Sequence, residues 1–408
     1  MKYASVFAIG FLLPAVAGAQ DPSGPLPQPD LALTHANVVD VVTGALLQDV
    51  TVVIRGGFIV SVGSSSAPEG AAVLDLAGRY LLPGLMDAHT HLDNLAAARR
   101  ALETGVTTVR SASVGSFRDV ALRDLAHAGY IAGPDMLAAG LFVTPDLGDA
   151  VLTDPALASL WGGVRTPEEL RTLVRINLGH GVNVIKTRAT ERAGLPETDP
   201  RKQVYSEEQL RAVVEEAAAR GVPVEAHAHG DEGARAAVLA GVRSIEHGTY
   251  LSETTIQLMK ERGTFLVPTL STLYDLLEPG GDYDDPVTRA RAMYMIPRMV
   301  RTIEMAREAG VAIVAGADVG YGPQSITRIS HEVVRFAELG FTPLEALQTA
   351  TVNAARLFGL AESIGRVAPG FEADLIVVEE NPLELVGTIR DPLLVISNGR
   401  IGVDRISP

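Results

Sequence analysis

The sequence predicts an α/β protein, a (β/α)8 TIM-like barrel joined to a small β-sandwich built from both chain ends. Three observations predict it. Apolar, β-prone runs alternate with amphipathic helical stretches through the middle of the chain. Residues of metal-ligand type close several of those runs: His89 and His91 end "LLPGLMDAHTHLD", Lys186 ends "GVNVIK", His227 lies in "GVPVEAHAHG", His247 in "VRSIEHG" and Asp318 in "VAIVAGADVG". The carboxyl ends of successive barrel strands are where such a fold carries its chemistry. Finally, short alternating strands occur at both chain ends, with too few at either for an independent sandwich.

In chain order, residues 1–19 read as a signal peptide, with Lys2 as the positive start, an apolar core, and Ala17-Gly18-Ala19 as a small-residue cleavage site that starts the mature chain near Gln20. The apolar stretch is too short for a membrane span. Export to a bacterial periplasm or beyond is therefore expected. Residues 20–30 contain the Pro- and Gly-rich "DPSGPLPQPD", a linker. Strands follow over 31–39, 48–55, 58–63, 72–75 and 80–82, with Gly56-Gly57 marking a hairpin. They pair with material in 366–408, so 31–82 and 366–408 form the sandwich and 83–365 the barrel. The eight barrel strands are 85–92, 106–110, 136–140, 184–187, 222–228, 244–247, 265–269 and 311–317. Helices over 116–128, 206–220 and 287–309 separate some of them, and Ser206 with Glu208 and Gln209 looks like a helix start. Three loops are long, 142–166, 188–205 and 270–286, and loops of that length carry lids or substrate contacts.

Composition narrows the function. The 408 residues carry a formal charge of −15, which argues against nucleic acid or an anionic membrane as partner. An anionic small molecule would need a local arginine. With no cysteine there is neither a disulfide framework nor a thiolate metal site.

His89 and His91 stand two apart, so on a strand they share a face, whereas on a helix they would diverge by about 200°. His227 and His229 repeat the spacing. Imidazole with carboxylate suits zinc, manganese or iron rather than calcium. A lone core histidine is usually structural, and His35, His127 and His180 are read that way; His331, at a helix start, stays ambiguous. A lysine buried on a strand, as Lys186 would be, is costly unless neutralised or paired.

With "PGLMDAHTHL", the strand-end "IK", the two later histidines, "GADVG", "TPLEALQTATVNAARLFGL", "IGRVAPGFEADLIVVEENP" and "VISNGR" in that order, the chain resembles the amidohydrolase superfamily over nearly its whole mature length. It is most similar to the binuclear metal-dependent branch that includes proline dipeptidases and ochratoxin-cleaving amidohydrolases. The resemblance implies two divalent metal ions, taken as Zn2+. His89, His91 and Asp318 would hold one, His227 and His247 the other, with Lys186, carboxylated by CO2, bridging them. It implies hydrolysis of the amide of a dipeptide or N-acyl amino acid by a metal-bridging hydroxide, with Asp318 as proton carrier. Tyr250 is a candidate oxyanion donor, His229 a catalytic candidate that contacts either substrate or a group supporting the ligands, and Arg110 or Arg188 the partner of a substrate carboxylate. An imidazolonepropionase-like cyclic-amide or lactone hydrolase, or an inactive binding protein on the same fold, are the alternatives. A homo-oligomer and a small-molecule substrate are expected.

Overall fold

The computed structural model describes residues 30–407 apart from 65, 279–284 and 324, so the expected signal peptide and nearly all of the linker lie outside the described residues. Five strands come first: β1 (Leu31–Val39), β2 (Leu46–Arg55), β3 (Phe58–Gly63), β4 (Ala72–Asp75) and β5 (Tyr80–Pro83). The barrel strands are β6 (Leu85–Thr90), β7 (Val106–Ser111), β8 (Asp135–Leu137), β9 (Ile185–Arg188), β10 (Val224–Ala228), β11 (Ser244–His247) and β12 (Phe265–Val267). After the last barrel helices come β13 (Leu375–Val378), β14 (Leu394–Ser397) and β15 (Arg400–Asp404).

Both chain ends join in one eight-stranded sheet, ordered β15-β14-β13-β5-β1-β2-β3 with β4 beside β1. The seam is β13 antiparallel to β5, where Val377 faces Leu81. β1 serves two parallel neighbours in turn, pairing β4 through Leu31–Thr34 and β5 through Asn37–Val38. Its register with β2 shifts twice, and such irregularities bend a strand and add twist. The sandwich expected from sequence is thus one continuous sheet around its own core, which includes Leu33, Ile54, Leu81, Leu375 and Ile396. Ile376, Val378 and Val395, one residue out of phase, join the barrel's core instead. Two buried faces explain why these strands read as unbroken apolar runs.

In the barrel, β6-β7-β8 and β12-β11-β10-β9 form two parallel sheets. Closure is made by single bridges, Val143 to Thr187 on one side, and Leu266 to Ile313 and Thr90 to Val319 on the other. The eighth strand expected over 311–317 is not regular: it bonds Ala315 O to Ala88 N at 3.1 Å and Asp318 N to His89 O at 2.8 Å without a continuous ladder. Gly316 is the reason the segment comes so close, since a Cβ there would lie 2.9 Å from His89 Cβ and 2.6 Å from Val267 Cγ1. The helix Glu207–Ala218 starts where Ser206 suggested, with a complete Ser206–Gln209 capping box. Among the described residues no helix is long and apolar enough to cross a membrane.

Candidate metal centre

At the carboxyl end of the barrel a cavity of about 300 Å³ is lined by His89, His91, Lys186, His227, His229, His247 and Asp318. The strand-end positions read from sequence therefore converge on one place. His247 and Asp318 sit in the left-handed region, at φ 73° and 52°, as does neighbouring Thr269 at 52°. Such backbone costs about 1–3 kcal/mol per residue and persists where surrounding structure imposes it, commonly at functional sites.

Hydrogen bonds fix each imidazole through one nitrogen. His89 Nδ1 donates to Glu246 Oε2 at 2.8 Å and His91 Nδ1 to Ser113 O at 2.7 Å. Their Nε2 atoms both face Asp318 Oδ1, at 3.3 and 3.1 Å. With no proton on either Nε2, all three atoms would be acceptors meeting at one point, which a cation would relieve. Opposite, His247 Nδ1 bonds Thr269 Oγ1 at 2.7 Å and His227 Nε2 donates to Glu191 O at 3.1 Å. His229 Nδ1 bonds Thr249 Oγ1 at 2.8 Å, and its ring stacks on His247 with centroids 4.6 Å apart. Two donor groups result, His89–His247–Asp318 and His227–His229–His247, each with ligand atoms within 4.8 Å of one another. His229, expected to contact substrate or a group supporting the ligands, is therefore as close to His247 as a ligand would be.

Between the groups lies Lys186, 1% exposed. Its Nζ has no hydrogen-bond partner, and the nearest carboxylate, Glu225 Oε1, is 4.0 Å away. Burial pushes its amine below the ordinary lysine range, with Glu225 and Glu246 opposing. An ammonium buried without a hydrogen-bond partner is costly, so the neutral amine is the favoured form here. Burial, then neighbouring histidines, hold His227 and His247 well below their usual value, and burial takes His229 to about 3. Neutral imidazoles are the form that ligates. Burial would raise Asp318, yet His89, His91 and His247 keep it well below the carboxylate range. The donor set thus fits two divalent ions.

A layer beneath orients these candidate ligands. Glu246 accepts from His89, from Arg110 Nη2 at 2.9 Å and from Ser244 Oγ at 2.6 Å. Burial works to raise its carboxyl, but Arg110 and His89 bring it to about 2. Asp87, raised to about 6 by burial, accepts from the backbone N–H groups of His89 and Ala317 and from the Tyr321 hydroxyl, pinning the first and eighth strand ends together. Sequence reasoning missed these acids, although a signal was present: Glu225 precedes His227 by two and Glu246 adjoins His247, charges in otherwise apolar strands.

Three expectations are corrected. Arg110 is 3% exposed and lies under the ligands, its guanidinium committed to Ala88 O, Ser244, Glu225 and Glu246, so it cannot reach substrate. Arg188 does not line the cavity; it packs over the Phe142 ring at 4.6 Å, and burial lowers it to about 10. Tyr250 lines a separate shallow cavity with Arg201, Arg291 and Tyr294 instead of the histidine cavity. His331 resolves as structural, its Nδ1 accepting from Arg328 N at 3.1 Å at a helix start.

Arg110→Met should destabilise the fold by about 3–5 kcal/mol, because two buried carboxylates lose their shared partner. Denaturant unfolding measures this. A variant of unchanged stability whose KM alone rises for acidic substrates would restore Arg110 as a substrate ligand.

The family model described as amidohydrolase family matches residues 80–402, and the chain belongs to that family. Among particular relatives, ochratoxinase of Aspergillus niger is 28% identical over 408 residues, covering 90% of this chain and 84% of that protein. A Xaa-Pro dipeptidase, solved with methionine in its active site, matches with a TM-score of 0.82 at 28% identity, over 91% of this chain and 99% of its own. A putative prolidase from Bifidobacterium longum matches at 0.80 with 35% identity, over 91% and 94%.

Proposed function

We propose that this amidohydrolase is a binuclear metal enzyme cleaving the amide bond of a dipeptide or N-acyl amino acid. The observation that carries the reading is the closed ring of His89, His91, Lys186, His227, His247 and Asp318 around one cavity, with a buried amine that lacks a partner. His89, His91 and Asp318 would hold one ion and His227 and His247 the other. Lys186 would react through its neutral amine with CO2, releasing a proton, and the resulting carbamate would add an anionic ligand to the set. Two bound divalent ions would supply Lewis acidity and a water acidified toward neutrality.

Around that chemistry the chain's own groups have definite tasks. Asp318, ionised beside the cavity, accepts the attacking water's proton and hands it to the leaving amide nitrogen, so bond cleavage releases a neutral amine. With the Thr249 hydroxyl donating to its Nδ1, His229 would carry its proton on Nε2 and donate it to the carbonyl oxygen as charge develops there. Glu246 and Arg110 keep His89 in the tautomer that offers Nε2 inward. Leu141, Leu147, Leu273 and Leu276 give the cavity an apolar wall that excludes water and suits an apolar acyl or side-chain group. From the leader expected over residues 1–19 we propose that this activity lies outside the cytoplasm.

The test is turnover of N-acyl amino acids and dipeptides by protein purified without chelator, with elemental analysis alongside. Two metals per chain and turnover that is lost on chelation and returns with zinc are expected. A reproducible content near one metal, or undiminished turnover after complete metal removal, would overturn the binuclear reading. Faster turnover of lactones or cyclic amides than of any open-chain amide would favour the cyclic-amide alternative.

A further inference from the structure

With Arg110 buried beneath the histidines and Arg188 off the lining, the cavity lacks its expected carboxylate partner, and the loop after β9 offers another. Arg192 lines the same cavity on the segment Arg192-Ala193-Gly194. Its side chain is exposed and has no hydrogen bond or ion pair among the described residues. Lys186 is the other lining residue with a cationic side chain, and it stands within the ligand ring.

The backbone that carries Arg192 is held firmly. Thr198 Oγ1 donates to Arg192 O at 2.5 Å. Arg291, reaching over from the helix Pro286–Ala309, spends its guanidinium on the carbonyls of Ala193, Leu195, Pro196 and Thr198. Glu191, next in the chain, pairs with Lys202 at 2.6 Å and accepts from Asp199 N at 2.9 Å. Neighbouring arginines are likewise committed: Arg201 makes two bonds to Asp199, and Arg110 pairs with the buried glutamates. A fixed backbone presenting one uncommitted guanidinium suits an anion receptor, since the loop needs no further ordering and only the side chain's rotamers remain to be fixed on binding. Guanidinium also matches a carboxylate with two parallel bonds. The chain's charge of −15 gives the site reason to need such a group.

We propose that Arg192 is the specificity-determining residue that binds the free carboxylate of the leaving amino acid, and that Arg291 positions it by clamping the loop. This rests on the amide-hydrolase reading and deepens it. The substrate is then an amide whose amine fragment ends in a carboxylate held at the loop, with its acyl fragment against the leucine wall.

The experiment uses the metal-loaded full chain with matched substrates, N-acyl-phenylalanine and the N-acyl-phenethylamine that lacks only the carboxylate. Wild type should prefer the acid by about 10- to 100-fold in kcat/KM, as expected for a charged hydrogen bond. Arg192→Met should remove most of that preference through KM while leaving the phenethylamine unchanged, and Arg192→Lys should keep part of it. Calorimetric binding of both compounds gives a readout independent of turnover. If wild type hydrolyses amides without preferring the acid, or Arg192→Met slows both substrates equally, the Arg192 assignment fails and the hydrolase reading stands. If wild type hydrolyses no amide, that reading fails, and acid-selective binding lost in Arg192→Met still decides the role of Arg192.

Discussion

Asp318→Asn is expected to lower kcat by about 10²–10⁴-fold, the range for removing a positioned proton carrier. Three properties meet in this side chain. Its Oδ1 lies 3.3 Å from His89 Nε2 and 3.1 Å from His91 Nε2, so it sits where a metal and a water proton would compete for it. The surrounding histidines hold it ionised against its burial. Its backbone sits at a left-handed φ of 52°, a conformation that asparagine also tolerates. Asparagine keeps the size and the backbone but loses the charge. KM should change little beside kcat, the thermal midpoint should stay near wild type, and metal content should fall from two toward one per chain. Steady-state kinetics on metal-reloaded protein and elemental analysis together check this. An Asn variant of normal rate would remove Asp318 from the mechanism.

The second large effect is expected at Lys186. Lys186→Ala should lose at least about 100-fold in activity together with bound metal, since even groups that only support metal ligands matter by about 10–100-fold. Because the amine is buried, without a hydrogen-bond partner and shifted downward, its neutral form is available to react with CO2. Alanine leaves a void beside Glu225, and a short carboxylic acid added to the buffer should occupy it and restore part of the rate. Growth with labelled bicarbonate gives a second readout, a carbamate carbon signal in wild type that is missing in Lys186→Ala. Normal metal content and normal rate in the alanine variant would exclude a bridging role.

Part of this site was legible because it is written in local geometry. A strand repeats every two residues, so His89 and His91 had to share a face, and so did Glu225 and His227, although that acid was overlooked. The depth of a side chain within the barrel is different. Arg110 and Lys186 both belong to strands ending at the site, yet one lies under the ligands and the other among them. Tyr250 was placed by its distance from His247 in sequence, but the structure puts it in another cavity with Arg201, Arg291 and Tyr294. Arg192 carried no signal at all, since an arginine in a long polar loop has no period to read.

By itself, then, the sequence determined the alternation of strands and helices, the pairing of the two chain ends, and the ligand types at the strand termini, because all follow from side-chain periodicity and local backbone preference. Only the tertiary structure decided which charges meet. His91 reaches Asp318 across 227 residues and His89 reaches Glu246 across 157, and barrel closure makes both contacts. Closure also lowers the local dielectric, and that desolvation strips Lys186 of the water that would otherwise stabilise its ammonium. The same closure gives Arg110 to two buried glutamates and leaves Arg192 open to the cavity.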